Sequence, residues 1–179
     1  MAKKLLKKSY QLNSLKPIKY DDLLGKKGIF STIRVLGNKS KLILINYHIE
    51  SLNRGLNKMN INFIISEKII LQLLKISFPK IKNKDNLLRI AINSKTISLS
   101  IRPRLKYHKK FIGILNNYKR PIPHLKNLYY KKIINLINMA NSQNQEIILC
   151  NKNLLLEGCT TNIICISNKK IYIPIRNYY

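Results

Sequence analysis

RPIPHLKNLYY, residues 120–130, and LLLEGCTTNII, residues 154–164, are the two segments on which the interpretation of this chain depends. The first carries Lys126 and the second carries Glu157. The residues between them predict, in order, a helix over 129–143, an apolar strand over 146–150 and a turn over 151–153. Acidic residues are scarce in this chain, so a glutamate placed directly after three leucines is a candidate functional residue. We therefore expect the chemistry of the protein at Lys126 and Glu157.

The composition is globular, with a large excess of positive charge. The chain has 179 residues, 45% of them hydrophobic, which suffices for one domain or two small lobes, and its formal net charge is +27. Such a charge usually indicates a polyanionic partner. The excess is mostly lysine, however, and it accompanies abundant Asn, Ile, Leu and Tyr, which is typical of A+T-rich coding sequence. We give codon bias more weight and keep a basic nucleic-acid-binding or ribosome-associated protein as an alternative, with segments such as LKYHKKF and NLYYKK contacting phosphates and bases.

Cysteine and histidine patterns argue against several other classes of protein. Three cysteines without a CxxC pair indicate neither a disulfide framework nor a zinc site, and the histidines are scattered, so we expect no metal centre. No apolar run approaches the roughly 20 residues that a bilayer requires, and the N-terminal MAKKLLKKSY lacks a signal-peptide core. We expect a soluble, reduced protein, in a plastid or other organelle or in the cytoplasm of a bacterium with an A+T-rich genome.

The N-terminal part predicts a basic, solvated arm over 1–19 and a small α+β lobe over 20–115. The elements expected in this lobe alternate between hairpins and helices. They are a β-hairpin of strands 29–35 and 41–45 around Gly37 and Asn38, helices 48–59 and 66–78 with Asn46 and Ser66 as N-caps, and an antiparallel pair of strands 87–92 and 96–101. A linker is expected over 105–119, because Gly113 and two consecutive asparagines interrupt the apolar pattern.

The C-terminal lobe, 116–179, contains the two quoted segments. Pro121 and Pro123 favour an extended approach to a helix whose apolar residues recur at helical spacing. Strands are expected on both sides of the 151–153 turn, with Asn153 in the left-handed conformation, and a further apolar strand is expected over 162–166. A last short strand, IYIP, follows a turn at Lys169 and Lys170.

The order of these signals resembles the class IV aminotransferases, the fold-type IV pyridoxal-phosphate enzymes that include branched-chain and D-amino-acid aminotransferases and aminodeoxychorismate lyase. The family pattern reads G-x-F-E-T-x-R-V, H-L-x-R-L, a lysine followed by a tyrosine, E-G-x-x-x-N and T-P. The matching segments here are GIFSTIRV (28–35), HIESL (48–52), LKNLYY (125–130), EGCTTNI (157–163) and YIP (172–174). The short interval from Lys126 to Tyr130 is more similar to the lyase and D-amino-acid members.

The resemblance implies an α+β fold of two lobes, the first sandwich-like and the second barrel-like, with pyridoxal 5'-phosphate as cofactor and an amino-acid-like substrate. It implies that Lys126 is catalytic, because its amine bonds to the cofactor and shuttles a proton. It implies that Glu157 keeps the cofactor's pyridine nitrogen protonated. Further implied roles are cofactor contacts from Tyr130, Thr160, Thr161 and Arg54, and a substrate-carboxylate contact from Arg34. The family likeness also implies a homodimer.

Three departures from the family pattern leave alternatives open. Ser31 stands at the acid of F-E-T, and Ser51 stands at the arginine that grips the phosphate in the family, so that Arg54, one turn along, is the substitute. The chain also ends soon after Pro174, which suggests a C-terminally shortened, incomplete cofactor lobe. The sequence is therefore compatible with an active aminotransferase or lyase, with a shortened inactive family member, and with the basic nucleic-acid-binding alternative.

Overall fold

A computed structural model of the chain describes residues 6–37, 41–78, 85–104, 110–123, 125–140 and 144–174. The fold is α+β, and it divides into two compact units. The first unit comprises the described residues up to Arg104 together with Leu125–Tyr129. The second unit comprises the described residues of 110–123 and those from Tyr130 onward. The predicted boundary between 115 and 116 therefore falls inside a strand of the second unit, and the segment around Lys126 belongs to the first unit.

The first unit contains six strands and two helices. In chain order these are β1 (Leu6–Gln11), β2 (Pro17–Ile18), β3 (Ile29–Leu36), β4 (Lys41–Leu42), α1 (Ile45–Lys58), α2 (Glu67–Ser77), β5 (Asp85–Ile92) and β6 (Thr96–Pro103). The strands form one sheet in the order β2-β1-β6-β5-β3-β4, and every neighbouring pair is antiparallel.

The core of the first unit lies where α1 and α2 cover one face of this sheet. In β3, Ile29, Ser31, Ile33 and Val35 alternate onto the buried face, as the period of two in a strand requires. They meet apolar residues of both helices, among them Leu52, Leu56, Ile70 and Leu73. Each fully buried Leu or Ile contributes about 1.5–3 kcal/mol of transfer free energy. Burial of these apolar side chains therefore holds β3 against the two helices.

The second unit is built on a three-stranded sheet. Its elements are β7 (Ile112–Asn117), α3 (Lys131–Met139), β8 (Gln145–Asn151), β9 (Leu154–Gly158), β10 (Cys165–Ser167) and β11 (Lys170–Tyr172). Strand β8 lies between β7, which is parallel to it, and β9, which is antiparallel. Strands β10 and β11 form a separate hairpin. The core is a small cluster beneath α3, formed by Ile133, Leu136, Ile147, Leu149, Leu156 and Cys159.

Local sequence signals are confirmed at several places. The side chain of Ser66 caps α2 by accepting a hydrogen bond from the N–H of Ile69. The carboxamide oxygen of Asn93 accepts from the N–H groups of Lys95 and Thr96 in the β5–β6 turn. Asn153 has a φ of 65°, the left-handed conformation expected of it. The strands predicted over 29–35, 87–92, 96–101 and 146–150 are present, and the helix predicted over 129–143 is present as α3.

The solvated arm predicted over 1–19 is wrong for the described residues. Residues Leu6–Gln11 pair along their whole length with β6, and Tyr10 and Leu12 are buried in the core. The Tyr10 hydroxyl lies 2.6 Å from Ser77 Oγ on α2. The many lysines mask the apolar pattern of this strand in the sequence, and its longest pairing is with β6, which is far away along the chain.

Four further predictions of local structure are wrong. The strand expected over 41–45 ends at Leu42, and α1 begins at Ile45 after Leu44 adopts a φ of 53°, so Asn46 lies inside the helix and is not its cap. Packing of Ile45 and Ile49 onto the core favours the helix over the local β propensity. The linker expected over 105–119 contains β7, whose backbone pairs with β8. The strand expected over 162–166 starts only at Cys165.

Several predicted positions lie outside the described residues. They are Asn38, His108, His124, residues 1–5 of the predicted arm, most of the LKYHKKF segment and residues 141–143 of the predicted helix.

Candidate active site

The Lys126 segment is fixed to the first unit by its backbone. The carbonyl oxygen of Lys126 accepts a hydrogen bond of 2.7 Å from the N–H of Phe30, and Asn127 forms a β-bridge with Ile29. The N–H of Leu128 donates to the carbonyl of Gly28 at 2.9 Å. The segment therefore continues the hydrogen-bonding pattern of β3, and Lys126 is an exposed side chain on an anchored main chain.

Leu128 is the side chain that anchors this segment. It is fully buried against Leu23 and Ala91, with Phe30 packed against the same cluster. Gly28 makes the close approach possible, because a Cβ there would lie 2.4 Å from the carbonyl oxygen of Ile92 and 2.8 Å from Leu128 Cδ1. The glycine of the GIFSTIRV segment thus serves the placement of the lysine segment.

In the second unit, Glu157 lies beside an arginine. Arg120 Nε is 2.7 Å from Glu157 Oε1, and the two side chains are only 15% and 21% exposed. A partly buried ion pair of this kind holds the carboxylate in its charged form and in one orientation. Glu157 is therefore a fixed anion at the end of β9.

Arg120 also organises the groups around Glu157. Its Nη2 donates to the carbonyl oxygens of Gly158 at 3.1 Å and Cys159 at 2.8 Å, and its Nη1 donates to the Tyr130 hydroxyl at 3.1 Å. The guanidinium carbon lies 5.2 Å from the centre of the Tyr130 ring. A single planar side chain thus joins the start of α3 to the end of β9.

Tyr130 is an uncharged phenol in this arrangement. Burial raises the pKa of Tyr130, and the positive charge of Arg120 opposes that rise. Its hydroxyl accepts from Arg120 and donates to the carbonyl oxygen of Cys159 at 3.3 Å. The Cys159 thiol is also neutral, because burial raises its pKa to about 11.

The turn after Glu157 is held by a second buried acid, Glu146. Thr160 donates twice to this carboxylate, from its backbone N–H to Oε1 and from its hydroxyl to Oε2, both at 2.7 Å. Glu146 is only 5% exposed. The carbonyl of Thr161 accepts from the N–H of Gly158 at 3.0 Å. Both hydrogen-bond donors of Thr160 are therefore engaged by a carboxylate.

Gly158 permits this tight turn. A Cβ at Gly158 would lie 2.2 Å from Thr161 Oγ1 and 3.0 Å from Glu146 Oε1. The glycine directly after Glu157 is thus required for the turn to pack closely against Glu146.

The two other predicted arginines hold ion pairs of their own. Arg54 donates to Glu50 at 3.2 Å across one turn of α1, and both side chains are exposed. Arg34 makes a bidentate pair with Asp85, at 3.0 and 2.8 Å, and Arg104 reaches the same carboxylate. Asp85 holds its charge firmly, because the hydrogen bond from Arg34 lowers the pKa of its carboxyl group.

The structure therefore brings Glu157 and Tyr130 together through Arg120. It also joins Thr160 to Glu146 by two hydrogen bonds. Lys126, Arg34 and Arg54 belong to the first unit. Sequence reasoning did not single out Arg120 or Glu146. Two signals were available: Arg120 is an arginine in a chain whose positive charge is mostly lysine, and Glu146 is one of its few acids and begins an apolar strand.

Two negative findings concern the described part of the chain only. Its His, Cys, Asp and Glu side chains form no group of three that could hold a metal ion. Each of its helices is too short or too polar to cross a bilayer.

The chain belongs to the amino-transferase class IV family, whose model matches residues 28–177. A comparison with curated proteins gave no match.

Solved structures give the same fold at low sequence identity. A hypothetical aminotransferase from Mycobacterium tuberculosis, in a PLP-bound form, is 14% identical with a TM-score of 0.66, over 96% of this chain and 72% of that one. A candidate 4-amino-4-deoxychorismate lyase is 18% identical with a TM-score of 0.68, over 90% and 71%. A branched-chain aminotransferase from Thermoproteus uzoniensis, with norvaline, is 18% identical with a TM-score of 0.68, over 93% and 67%. At these identities the likeness establishes the fold.

Proposed function

We propose that this chain is a pyridoxal-phosphate-dependent enzyme that acts on an amino-acid-like substrate, by aminotransfer or as an aminodeoxychorismate lyase. Family membership supports the class of chemistry. The observation that carries the proposal is the Glu157 carboxylate, held charged and oriented by Arg120 beside the neutral Tyr130 phenol. A fixed carboxylate beside the cofactor's pyridine nitrogen would keep that nitrogen protonated, which favours its role as an electron sink.

Lys126 is the proposed catalytic residue. Its amine would hold the cofactor and, once released by the substrate's amine, would take and return the proton at the α-carbon of the substrate. The hydrogen bond from Phe30 to the Lys126 carbonyl supports this role, since a reactive side chain must be carried by a rigid main chain. The cofactor, when bound, supplies the electron sink that makes this proton acidic.

Glu157 and Tyr130 are the proposed partners of the cofactor ring. The negative charge of Glu157 favours a protonated pyridine nitrogen, and Arg120 keeps that charge in place. The Tyr130 hydroxyl is a hydrogen-bonding group for the cofactor's phenolic oxygen or for the lysine. In the structure this hydroxyl both accepts and donates, so a cofactor contact would replace its bond to the carbonyl of Cys159.

The phosphate is the part of the cofactor that the described residues fit least directly. Thr160, Thr161 and Arg54 remain the proposed contacts. To bind the phosphate, Thr160 would have to give up its two hydrogen bonds to the Glu146 carboxylate. Arg54 would likewise have to give up its ion pair with Glu50. Ser51, an exposed residue of α1, has no positive charge to offer in the family's arginine position. We infer that phosphate binding is weaker here than in relatives that keep this arginine.

The proposal also includes a contact to the substrate, a homodimeric assembly and a cellular compartment. To bind a substrate carboxylate, Arg34 would have to give up its two hydrogen bonds to Asp85. The family likeness supports a homodimer, and light scattering of the purified protein tests it. The codon-biased composition supports a plastid or other organelle, or an A+T-rich bacterium.

The test of this function compares cofactor binding in three proteins: wild type, Lys126→Ala and Lys131→Ala. Lys131 is an exposed lysine at the start of α3 and serves as the matched control. We expect wild type and Lys131→Ala to give the visible absorbance band of lysine-bound pyridoxal phosphate, and Lys126→Ala to lack it. A wild-type protein without a Lys126-dependent band overturns the proposal.

The reaction type is tested separately. Protein that shows the band is assayed for amino transfer to 2-oxoglutarate from a panel of amino acids, and for release of pyruvate from aminodeoxychorismate. Activity in either assay that disappears in Lys126→Ala supports the proposal and selects between the two reactions.

A further inference from the structure

Glu146 is a buried acid of the second unit to which the proposed chemistry gives no role. It is the second residue of β8, is only 5% exposed, and accepts two hydrogen bonds of 2.7 Å from Thr160. Burial of a carboxylate is costly unless its oxygen atoms are hydrogen-bonded. Here both donors belong to one residue of the turn that follows Glu157, so the burial of Glu146 is compensated at that turn.

The peptide group between Cys159 and Thr160 is held at both ends by charged side chains. Its carbonyl oxygen accepts from Arg120 Nη2 at 2.8 Å, and its N–H donates to Glu146 Oε1 at 2.7 Å. The C=O and N–H of a trans peptide point in opposite directions, so the cation and the anion lie on opposite sides of one rigid plane. Charge-assisted bonds are stronger than neutral ones, and bonds at the two ends of one peptide reinforce each other. Rotation of this peptide would break both bonds.

Arg120 connects this peptide to Glu157. The Nη2 atom that donates to the Cys159 carbonyl also donates to the Gly158 carbonyl at 3.1 Å, and Nε of the same side chain lies 2.7 Å from Glu157 Oε1. A guanidinium group is planar, so the acceptors at Nη2 constrain the direction of Nε. Movement of the peptide between Cys159 and Thr160 therefore changes how Arg120 meets Glu157.

We propose that Glu146 is a positioning residue for Glu157, which it orients through the peptide between Cys159 and Thr160 and through Arg120. The inference rests on the proposed function, in which Glu157 is the carboxylate beside the cofactor's pyridine nitrogen. Because Glu146 engages both donors of Thr160, the inference assigns Thr160 to the turn and leaves the phosphate contacts to Thr161 and Arg54.

The experiment measures hydrogen exchange by NMR in the full chain without cofactor. The reporter is the Nε–H of Arg120, on the far side of the peptide from Glu146. The reference is the backbone N–H of Tyr118, which donates to the carbonyl of Cys150 near the other end of β8. The ratio of the two exchange rates corrects for changes in the overall stability of the unit. We expect Glu146→Gln to raise this ratio about tenfold, the factor that corresponds to the loss of one charge-assisted bond.

Ile133→Val is the matched control. It lowers the stability of the same unit by removing a methyl group from the core beneath α3, and it leaves the turn after Glu157 intact. The exchange ratio in this variant should equal that of wild type. An unchanged ratio in Glu146→Gln, or an equal rise in Ile133→Val, overturns the inference.

A second pair of variants decides the question if Glu146→Gln does not fold. Thr160→Val removes the hydroxyl bond to Oε2 and keeps the backbone bond to Oε1, so the ratio should rise by a smaller factor, about threefold. Thr160→Ser keeps both donors and should retain the wild-type ratio. Equal ratios in these two variants overturn the inference.

Failure of this inference and failure of the proposed function are distinguishable. A raised ratio in Glu146→Gln, with no Lys126-dependent pyridoxal phosphate band in wild type, leaves the link from Glu146 to Arg120 intact and defeats the proposed function. A Lys126-dependent band in wild type, with an unchanged ratio in Glu146→Gln, defeats this inference alone.

Discussion

Arg120 and Glu157 are 37 residues apart in sequence, yet Arg120 Nε lies 2.7 Å from Glu157 Oε1 in the second unit. The same guanidinium donates to two carbonyl oxygens and to the Tyr130 hydroxyl. Arg120 is thus the side chain on which the geometry around the glutamate depends.

Replacement of Arg120 by alanine should lower the free energy of unfolding by about 2–3 kcal/mol, because it removes the cation beside a partly buried carboxylate and one donor from each of two carbonyl oxygens. Arg120→Lys should recover part of this loss through its charge, though a lysine cannot reproduce the planar fork. Urea unfolding of wild type and both variants measures the effect. Loss of less than about 0.5 kcal/mol in Arg120→Ala would show that the surroundings of Glu157 do not depend on this residue.

Glu146→Gln should lower the free energy of unfolding by about 1–2 kcal/mol, because charge-assisted bonds to both donors of Thr160 become neutral and one of them is mismatched. Thr160→Val, which removes the hydroxyl alone, is the matched control and should cost less. The comparison uses thermal or urea unfolding. A Glu146→Gln protein as stable as wild type would contradict a structural role for this carboxylate in the turn.

Gly28→Ala should destabilise the first unit by about 3 kcal/mol or more, because the new Cβ would lie 2.4 Å from a backbone oxygen that cannot move aside cheaply. Gly37→Ala is the control: its φ is +69° and its Cβ would meet open space, so it should cost about 1 kcal/mol from backbone strain alone. Similar losses of stability in the two variants would show that the close approach of β3 to Ile92 and Leu128 does not determine the cost of the Gly28→Ala change.

Cys159 should give an alkaline dependence of stability. Burial raises the pKa of its thiol from 9.0 to about 11, so between these values the folded protein keeps a proton that the unfolded chain loses. Stability contributed by this group is complete below about pH 9 and is lost as the pH rises through about 11. Unfolding free energies measured across this range should fall less steeply in Cys159→Ala than in wild type. Cys165→Ala, at an exposed position, should follow the wild-type slope.

Alkylation of the native protein gives an independent measure of the same thiol. Cys165 is exposed and Cys159 is 1% exposed, so Cys165 should react first and Cys159 only on unfolding. Mass spectrometry of the alkylated peptides reports the order, and early modification of Cys159 would contradict its burial.

Elements with a local signature could be predicted from sequence. Strand β3 shows strict alternation, α2 has a serine cap and an apolar stripe, and the β5–β6 turn is set by the side chain of Asn93. The ordered motifs from Gly28 to Pro174 also indicated the family that the family model then matched. In each case the determining interactions lie within a few residues of one another, so the sequence pattern records them directly.

By itself, then, the sequence determined the α+β class, most of the strands and helices, the family and the identity of Lys126 and Glu157 as candidates. Only the tertiary structure decided that Leu6–Gln11 is a strand, that Arg120 holds Glu157 and that Glu146 takes both donors of Thr160. The physical reason is common to all three. Each depends on groups brought together from distant positions, where hydrogen bonds and ion pairs gain strength from burial, and no local periodicity records which distant residue will be the partner.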